Sequence, residues 1–234
     1  TIGSCTVFVP GHYTVAPTLG SYNYFLSGDY VFDGFTLPIG NAKVTAGKVL
    51  DGNGGTQAIP NTVCDAAIQS DTVSNVTESG VTFYLRNGAR FEVNQNGTLE
   101  VLRRKQGKTY VSIHVLDDSL TATDDVVLQG PGSNKDMALH GMVWAPQARI
   151  TFSNVANTAE AQMLGGGVLS NIKVDSAAGA SGLVISVEPS DITGLLQLDS
   201  TATTSDGQST TIRSVVDYRP STKYAAATSW RVID

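Results

Sequence analysis

The sequence predicts an all-β chain wound as a right-handed parallel β-helix, and three observations carry that reading. First, the stretch 139–187 states one pattern twice. Gly141-Met-Val-Trp is followed by Ala148-Arg-Ile-Thr-Phe152, and Gly167-Val-Leu by Asn171-Ile-Lys-Val-Asp175. Second, the same kind of strand occurs upstream at Asn41-Ala-Lys-Val-Thr-Ala46 and Ala89-Arg-Phe-Glu-Val93, with its basic residue at Lys43, Arg90, Arg149 and Lys173. The last gap between these is roughly 24 residues, the first roughly twice that, and the middle one fits two coils plus an insertion. Third, short strands of period two are joined by Gly, Asn, Ser and Ala, and Asn-Gly hairpin signals are few. In such coils Val44, Phe91, Ile150 and Val174 point inward and stack, while the basic residues face solvent. An antiparallel sandwich, which also uses short alternating strands, is the competing architecture.

Taken in order, residues 1–190 form the helix and its insertions, and residues 191–234 a C-terminal β-hairpin extension packed on the same domain. Residues 1–28 read as an N-terminal aromatic cap. Pro10-Gly-His-Tyr13, Ala16-Pro17 and Gly20 break regular structure, and Tyr13, Tyr22, Tyr24 and Phe25 supply rings to cover an open end. Coils then run through 28–37 and 43–49. A loop insertion follows at 51–79, rich in Gly, with a short helical turn expected over 63–67. Strands resume at 80–85, 90–93, 98–102 and 111–115, with Asn87-Gly88 and Asn96-Gly97 as corners that tolerate positive φ. Arg103-Arg104-Lys105 ends a strand as a solvated turn, 117–136 reads as a polar loop, and 157–162 has room for one turn of helix. In the tail, 195–198, 210–218 and 224–233 alternate as strands, with a turn at Arg219-Pro220-Ser221.

Composition narrows the function. The 234 residues carry 41% hydrophobic and only 15% charged residues, with 24 Gly, against about 25% charged in an average globular chain. This is the make-up of secreted all-β proteins. A net charge of −6 disfavours nucleic acid and anionic lipid, which need a basic face. No apolar run is long enough to span a membrane. Cys5 and Cys64, the two cysteines, are expected to pair in an oxidising, extracytoplasmic setting; the closed loop is worth about 4 kcal/mol on chain-entropy grounds.

The run Pro10-Gly-His-Tyr13, Ala16-Pro17-Thr-Leu19, Tyr24-Phe25, Ser27-Gly28, Tyr30 and Phe32, continued by Gly141-Met-Val-Trp-Ala-Pro146, Ala148 and Ile150, resembles a known family. It is similar to the extracytoplasmic β-helix region of bacterial, especially actinobacterial, surface proteins related to Tad/Flp pilus assembly. The closing Ser229-Trp-Arg-Val232 is similar to the ends of those proteins. The resemblance implies a cell-surface or pilus-associated, adhesin-like structural module whose partners are other surface or pilus proteins. It also implies a membrane-anchoring helix upstream of Thr1, and it carries no catalytic residues across.

A direct search for chemistry gives little. Polysaccharide lyases and hydrolases, the enzymes that β-helices often host, need convergent carboxylates. The dense acidic groups are Asp117-Asp118 and Asp124-Asp125, weak candidates for a calcium ion, because neighbours in a strand face opposite ways and neighbours in a loop are solvated. His12, His114 and His140 lack zinc-ligand spacing and read as rim or hydrogen-bonded interior residues. Gly165-Gly-Gly167 lacks the Lys of a phosphate loop and reads as a corner. No cofactor is implied. Tyr22, Tyr24, Tyr84, Tyr110 and Trp144 are aromatics that could stack on sugar rings, with Tyr84, Tyr110 and Trp144 the binding candidates and glycans a second partner class. A non-catalytic surface scaffold is therefore the first expectation, with a polysaccharide-active enzyme or a glycan-binding module behind it.

Overall fold

The structure is a computed structural model that describes residues 1–48, 50, 57–75, 77–106, 109–129, 136–153, 161–175, 183–185, 194–203, 209–219 and 224–233. The chain divides into two compact units, Thr1–Glu188 and Pro189–Asp234.

The strands of the first unit fall into successive passes. The first pass holds β1 (Thr6–Phe8) and β2 (Gly11–Tyr13); the second holds β3 (Tyr22–Phe25), β4 (Gly28–Asp33) and β5 (Thr36–Pro38). The third contains β6 (Lys43–Ala46), the helical excursion, β7 (Val81–Arg86) and β8 (Arg90–Val93). The fourth contains β9 (Thr98–Val101), β10 (Arg104–Gln106), β11 (Thr109–Val115) and β12 (Asp125–Gln129). Then follow β13 (Asp136–Leu139), the long β14 (Met142–Ser153), β15 (Ala161–Met163), β16 (Gly167–Asp175) and β17 (Leu183–Ile185). Each pass pairs in parallel with the next. One seven-stranded sheet runs β1-β3-β6-β9-β13-β15-β17. A ten-stranded sheet runs β2-β4-β7-β11-β14 and returns through β12, β8 and β5, with β10 and β16 attached. The unit is thus mostly β, and among its described strands every pairing is parallel apart from β10–β11.

Equivalent side chains form rows across these sheets. Phe8, Phe25, Ala46, Val101, Leu139 and Met163 align along the first sheet. Leu37, Phe91, Val127 and Ile150 align along the second. Both rows feed one buried core with Phe32, Phe83 and Phe152, where Phe25, Phe32, Phe83 and Phe91 meet at ring centroids 5.0–6.3 Å apart. Burying each large apolar side chain is worth roughly 1.5–3 kcal/mol, so the rows hold neighbouring passes in register.

The expected ladder of Val44, Phe91, Ile150 and Val174 is corrected in detail. Val44, Phe91 and Ile150 share the core, but Val44 lies in the seven-stranded sheet, in a row with Leu99 and Met137. Val174 pairs with Phe152 rather than Ile150, which aligns with Ile172; its side chain lies outside the described residues. Matching the basic residues of the repeat sets these strands two positions out, a slip that leaves inward residues inward because the strand period is two.

Other expectations also change. Within residues 1–28, read as an aromatic cap, β1 and β2 are strands that pair with β3 and β4, and Tyr24 and Phe25 are fully buried. The loop expected at 117–136 holds β12, whose Val126 and Val127 are both buried at a register shift. Two adjacent inward valines break the alternation that marks a strand, which conceals it in the sequence. Arg103-Arg104-Lys105 is no solvated turn but leads into β10. The residues between Trp144 and Ala148, which separate the two halves of the repeated pattern, lie inside continuous β14 at a register gap, with Pro146, which has no N–H to give, lying in the gap. Of the expected helical turn at 157–162, Ala161 and Gln162 lie in strand β15, and 157–160 lie outside the described residues. Gly80 sits where glycine is required: at φ +80 a Cβ would lie 1.9 Å from the Arg103 carbonyl oxygen.

In the second unit β18 (Gly194–Thr203), β19 (Ser209–Arg219) and β20 (Tyr224–Ile233) form a three-stranded antiparallel sheet in that order. The three strands expected in the tail are present, and the first, expected over 195–198, runs the full 194–203 and pairs along its whole length.

Candidate binding face

Strand alternation sends every second residue outward, and the two sheets treat their outward residues differently. On the seven-stranded sheet the outward row runs Val7, Tyr24, Thr45, Glu100, Ala138 and Gln162; the middle four are buried and the two end residues partly so. The excursion covers the middle four. A 3-10 turn (Thr62–Cys64) runs into α1 (Asp65–Ser70), in line with the expected helical turn. The Cys5–Cys64 disulfide, with Cα atoms 5.2 Å apart, ties this segment to the first pass. Tyr24 donates to Asp71 at 2.8 Å, Asp71 also accepts from the Ser27 amide at 2.8 Å, and Asn61 reaches Thr45 at 3.2 Å. Burial and the neighbouring Asp71 carboxylate push the Tyr24 phenol far above its ordinary range.

Glu100 is the polar centre of this covered face. Its carboxylate is fully buried, lies 2.9 Å from His140 Nε2, and accepts from the amides of Ala58 and Ile59. His140 is 4% exposed in its side chain. A buried carboxylate with these partners beneath a disulfide-tethered flap fastens that flap.

On the ten-stranded sheet the outward row remains open. His12, Val31, Tyr84, His114, Trp144 and Val168 occupy successive strands in register. Ring centroids of Tyr84 and His114 lie 5.5 Å apart, and those of His114 and Trp144 6.3 Å. Trp144 is 39% and Val168 38% exposed. Burial holds the His114 imidazole below its usual range. Burial first, and then Asp29, push the Tyr84 phenol up. The row is flanked by polar groups that are already paired. Asp29 takes Arg104 at 3.2 Å and Gln106 at 2.9 Å; Asp33 takes His12 at 3.0 Å and Asn87 at 2.6 Å.

Of the aromatic candidates, the structure brings Tyr84 and Trp144 together through His114, which sequence reasoning places only as a rim or interior residue. Tyr110 falls before the register shift around Ser112, and its ring is taken by Arg103 at 4.5 Å and Lys105 at 6.0 Å. Tyr24 is buried, and Tyr22 lies under Lys43. The signal that could have found His114 is its place after an inward residue, as Tyr84 follows Phe83 and Trp144 follows Val143.

The acidic candidates are used locally. Asp117 accepts from Ser119 and the Gly88 amide, Asp124 from Thr121, and Asp125 binds Arg149 at 2.7 Å and also Thr151. Asp118 is exposed. Among the described residues no group of three or more His, Cys, Asp or Glu could hold a metal ion, and no described helix is long and apolar enough to cross a membrane. Compared with known proteins, the chain matches no family model, no curated protein and no solved structure.

Proposed function

We propose that residues 1–188 are a stiff, non-catalytic scaffold of a bacterial surface or pilus-associated protein, with their passes wound as a right-handed parallel β-helix. One observation carries the reading: a row of apolar side chains passes unbroken from Phe8 to Met163 across six paired strands, buried from Phe25 onward. Such an interior resists bending, because each pass is locked to both neighbours. The Cys5–Cys64 bond supports an oxidising compartment, which suits an extracytoplasmic location. The pilus-associated, adhesin-like role rests on the sequence resemblance of the Gly141-Met-Val-Trp-Ala-Pro146 pass and the N-terminal aromatic run.

The test has two arms. Antibody or membrane-impermeant labelling of intact cells that produce the whole gene product should find this region outside the cytoplasmic membrane. The purified chain, offered a polysaccharide panel, should release neither new reducing ends nor unsaturated uronides. Exclusively cytoplasmic labelling would overturn the location, and robust turnover would replace the scaffold with the polysaccharide-active enzyme.

A further inference from the structure

We propose that the open row Val31–Tyr84–His114–Trp144–Val168 is a binding platform for an uncharged glycan chain. This adds a ligand to the scaffold reading and does not depend on it.

The two sheets differ in what covers them. The seven-stranded sheet hides the middle of its outward row under a disulfide-tethered flap sealed by Glu100, whereas the ten-stranded sheet leaves these five outward residues in register without such a cover. At about 4.8 Å per strand the row spans about 19 Å. A line of that length suits an extended polymer of ring-sized units better than a small molecule. The ring planes differ by 36° between Tyr84 and His114 and by 74° between His114 and Trp144. Faces turned in different directions suit successive pyranose rings, which rotate relative to one another along a twisted chain. The apolar C–H face of a pyranose packs on an aromatic ring, leaving its hydroxyls directed sideways.

Charge then selects among polymers. To one side Asp29 is neutralised by Arg104 and keeps its side chain 47% exposed beside Gln106. To the other, Asp33 engages His12 and Asn87. These flanks offer acceptors and donors to hydroxyl groups without surplus positive charge. The row itself holds no Asp, Glu, Lys or Arg, and burial lowers the His114 imidazole below its usual range, which favours its neutral form. A polyanion such as a uronate-rich chain or a nucleic acid finds no compensating cations in this row, and the whole chain is net −6. An uncharged, hydroxyl-rich chain is what the pattern accepts.

The experiment is a tryptophan-fluorescence and calorimetric titration of the full chain. The probes are cello-, xylo-, manno- and chito-hexaoses, with polygalacturonate as the anionic contrast. Trp144 is one of only two tryptophans, so it reports directly. At least one neutral hexaose should bind saturably and perturb the emission. Trp144→Ala should abolish the signal, Tyr84→Ala should weaken binding roughly three- to tenfold, and Trp144→Phe should retain most of it. Melting temperatures of the variants should stay at the parent value. The proposal fails if every neutral hexaose is blank at millimolar concentration, if binding survives Trp144→Ala unchanged, or if polygalacturonate is preferred. It fails also if Trp144→Ala instead removes a concentration-dependent self-association in sedimentation, which would make this face a contact between copies of the chain. None of these readouts depends on location or turnover.

Discussion

Glu100 and His140 meet at 2.9 Å with both side chains closed to solvent, on the face of the seven-stranded sheet that the excursion covers. The pair joins a strand of the fourth pass to the residue just after a strand of the fifth, and through Ala58 and Ile59 it binds the excursion to both. Breaking a buried pair by removing one member leaves the other polar group stranded. His140→Ala should therefore lower stability by about 3 kcal/mol in urea unfolding and open the segment near Gln57 to limited proteolysis. A variant as stable and protease-resistant as the parent would show that the pair does not fasten the flap.

The disulfide acts on the same segment from the other end. Cys5 and Cys64 close a loop across 59 residues of sequence, so Cys64→Ser with Cys5→Ser should cost about 4 kcal/mol of stability. Hydrogen exchange should show the loss first in 62–70, and reduction of the parent chain should reproduce it.

Close approach makes glycine obligatory at one corner. Gly80→Ala must bring a Cβ onto the Arg103 carbonyl at a positive φ, and should destabilise by more than about 2 kcal/mol. Gly3 shares the left-handed backbone, but a Cβ added there would meet nothing within 4 Å. Gly3→Ala should cost only about 1 kcal/mol. Equal costs would mean that strain, not crowding, governs the corner.

The outward and inward rows of the ten-stranded sheet should respond differently to truncation. Phe91 is fully buried among Phe32 and Phe83, so Phe91→Ala should cost about 3–5 kcal/mol. Trp144→Ala, at an open position, should stay within about 0.5 kcal/mol of the parent. Thermal and urea unfolding of the two variants decide this.

An imidazole and a set of carboxylates shape the pH dependence in separate windows. Burial depresses the folded His114 value below the ordinary 6.5. Between those two values the unfolded chain binds more protons, so stability falls as pH drops through about 6.5 and stops falling below the folded value. Asp33, held low first by Asn87 and then by His12, behaves separately, as do Asp117 and Asp124, held low by Ser119 and Thr121. Their contribution is present above the ordinary 3.8 and is lost only as pH falls through their lower folded values. His114→Gln should flatten the stability profile just below about pH 6.5 and leave the acid limb in place. An unchanged slope in the upper window would show that His114 is not desolvated.

Much of this protein can be read from the residues alone. Period-two alternation and recurring corners announce short strands in parallel passes, since a strand's inward and outward positions are a local property of its backbone. The helical turn near Val63 and the pairing of Cys5 with Cys64 are legible too, the first from local pattern and the second because two cysteines allow only one intramolecular bond. Register is not legible. A slip of two keeps every inward residue inward, so nothing in the sequence prevents Arg149 from being matched with Lys173 when the fold pairs it with Asn171. β12 escapes notice for a related reason: its bulge places Val126 and Val127 both inside. Only the tertiary arrangement decides which outward row is sealed and which stays open. That choice belongs to the excursion, whose few contacts with Tyr24, Thr45 and Glu100 arise between residues far apart in the chain, where sequence spacing carries no information about distance.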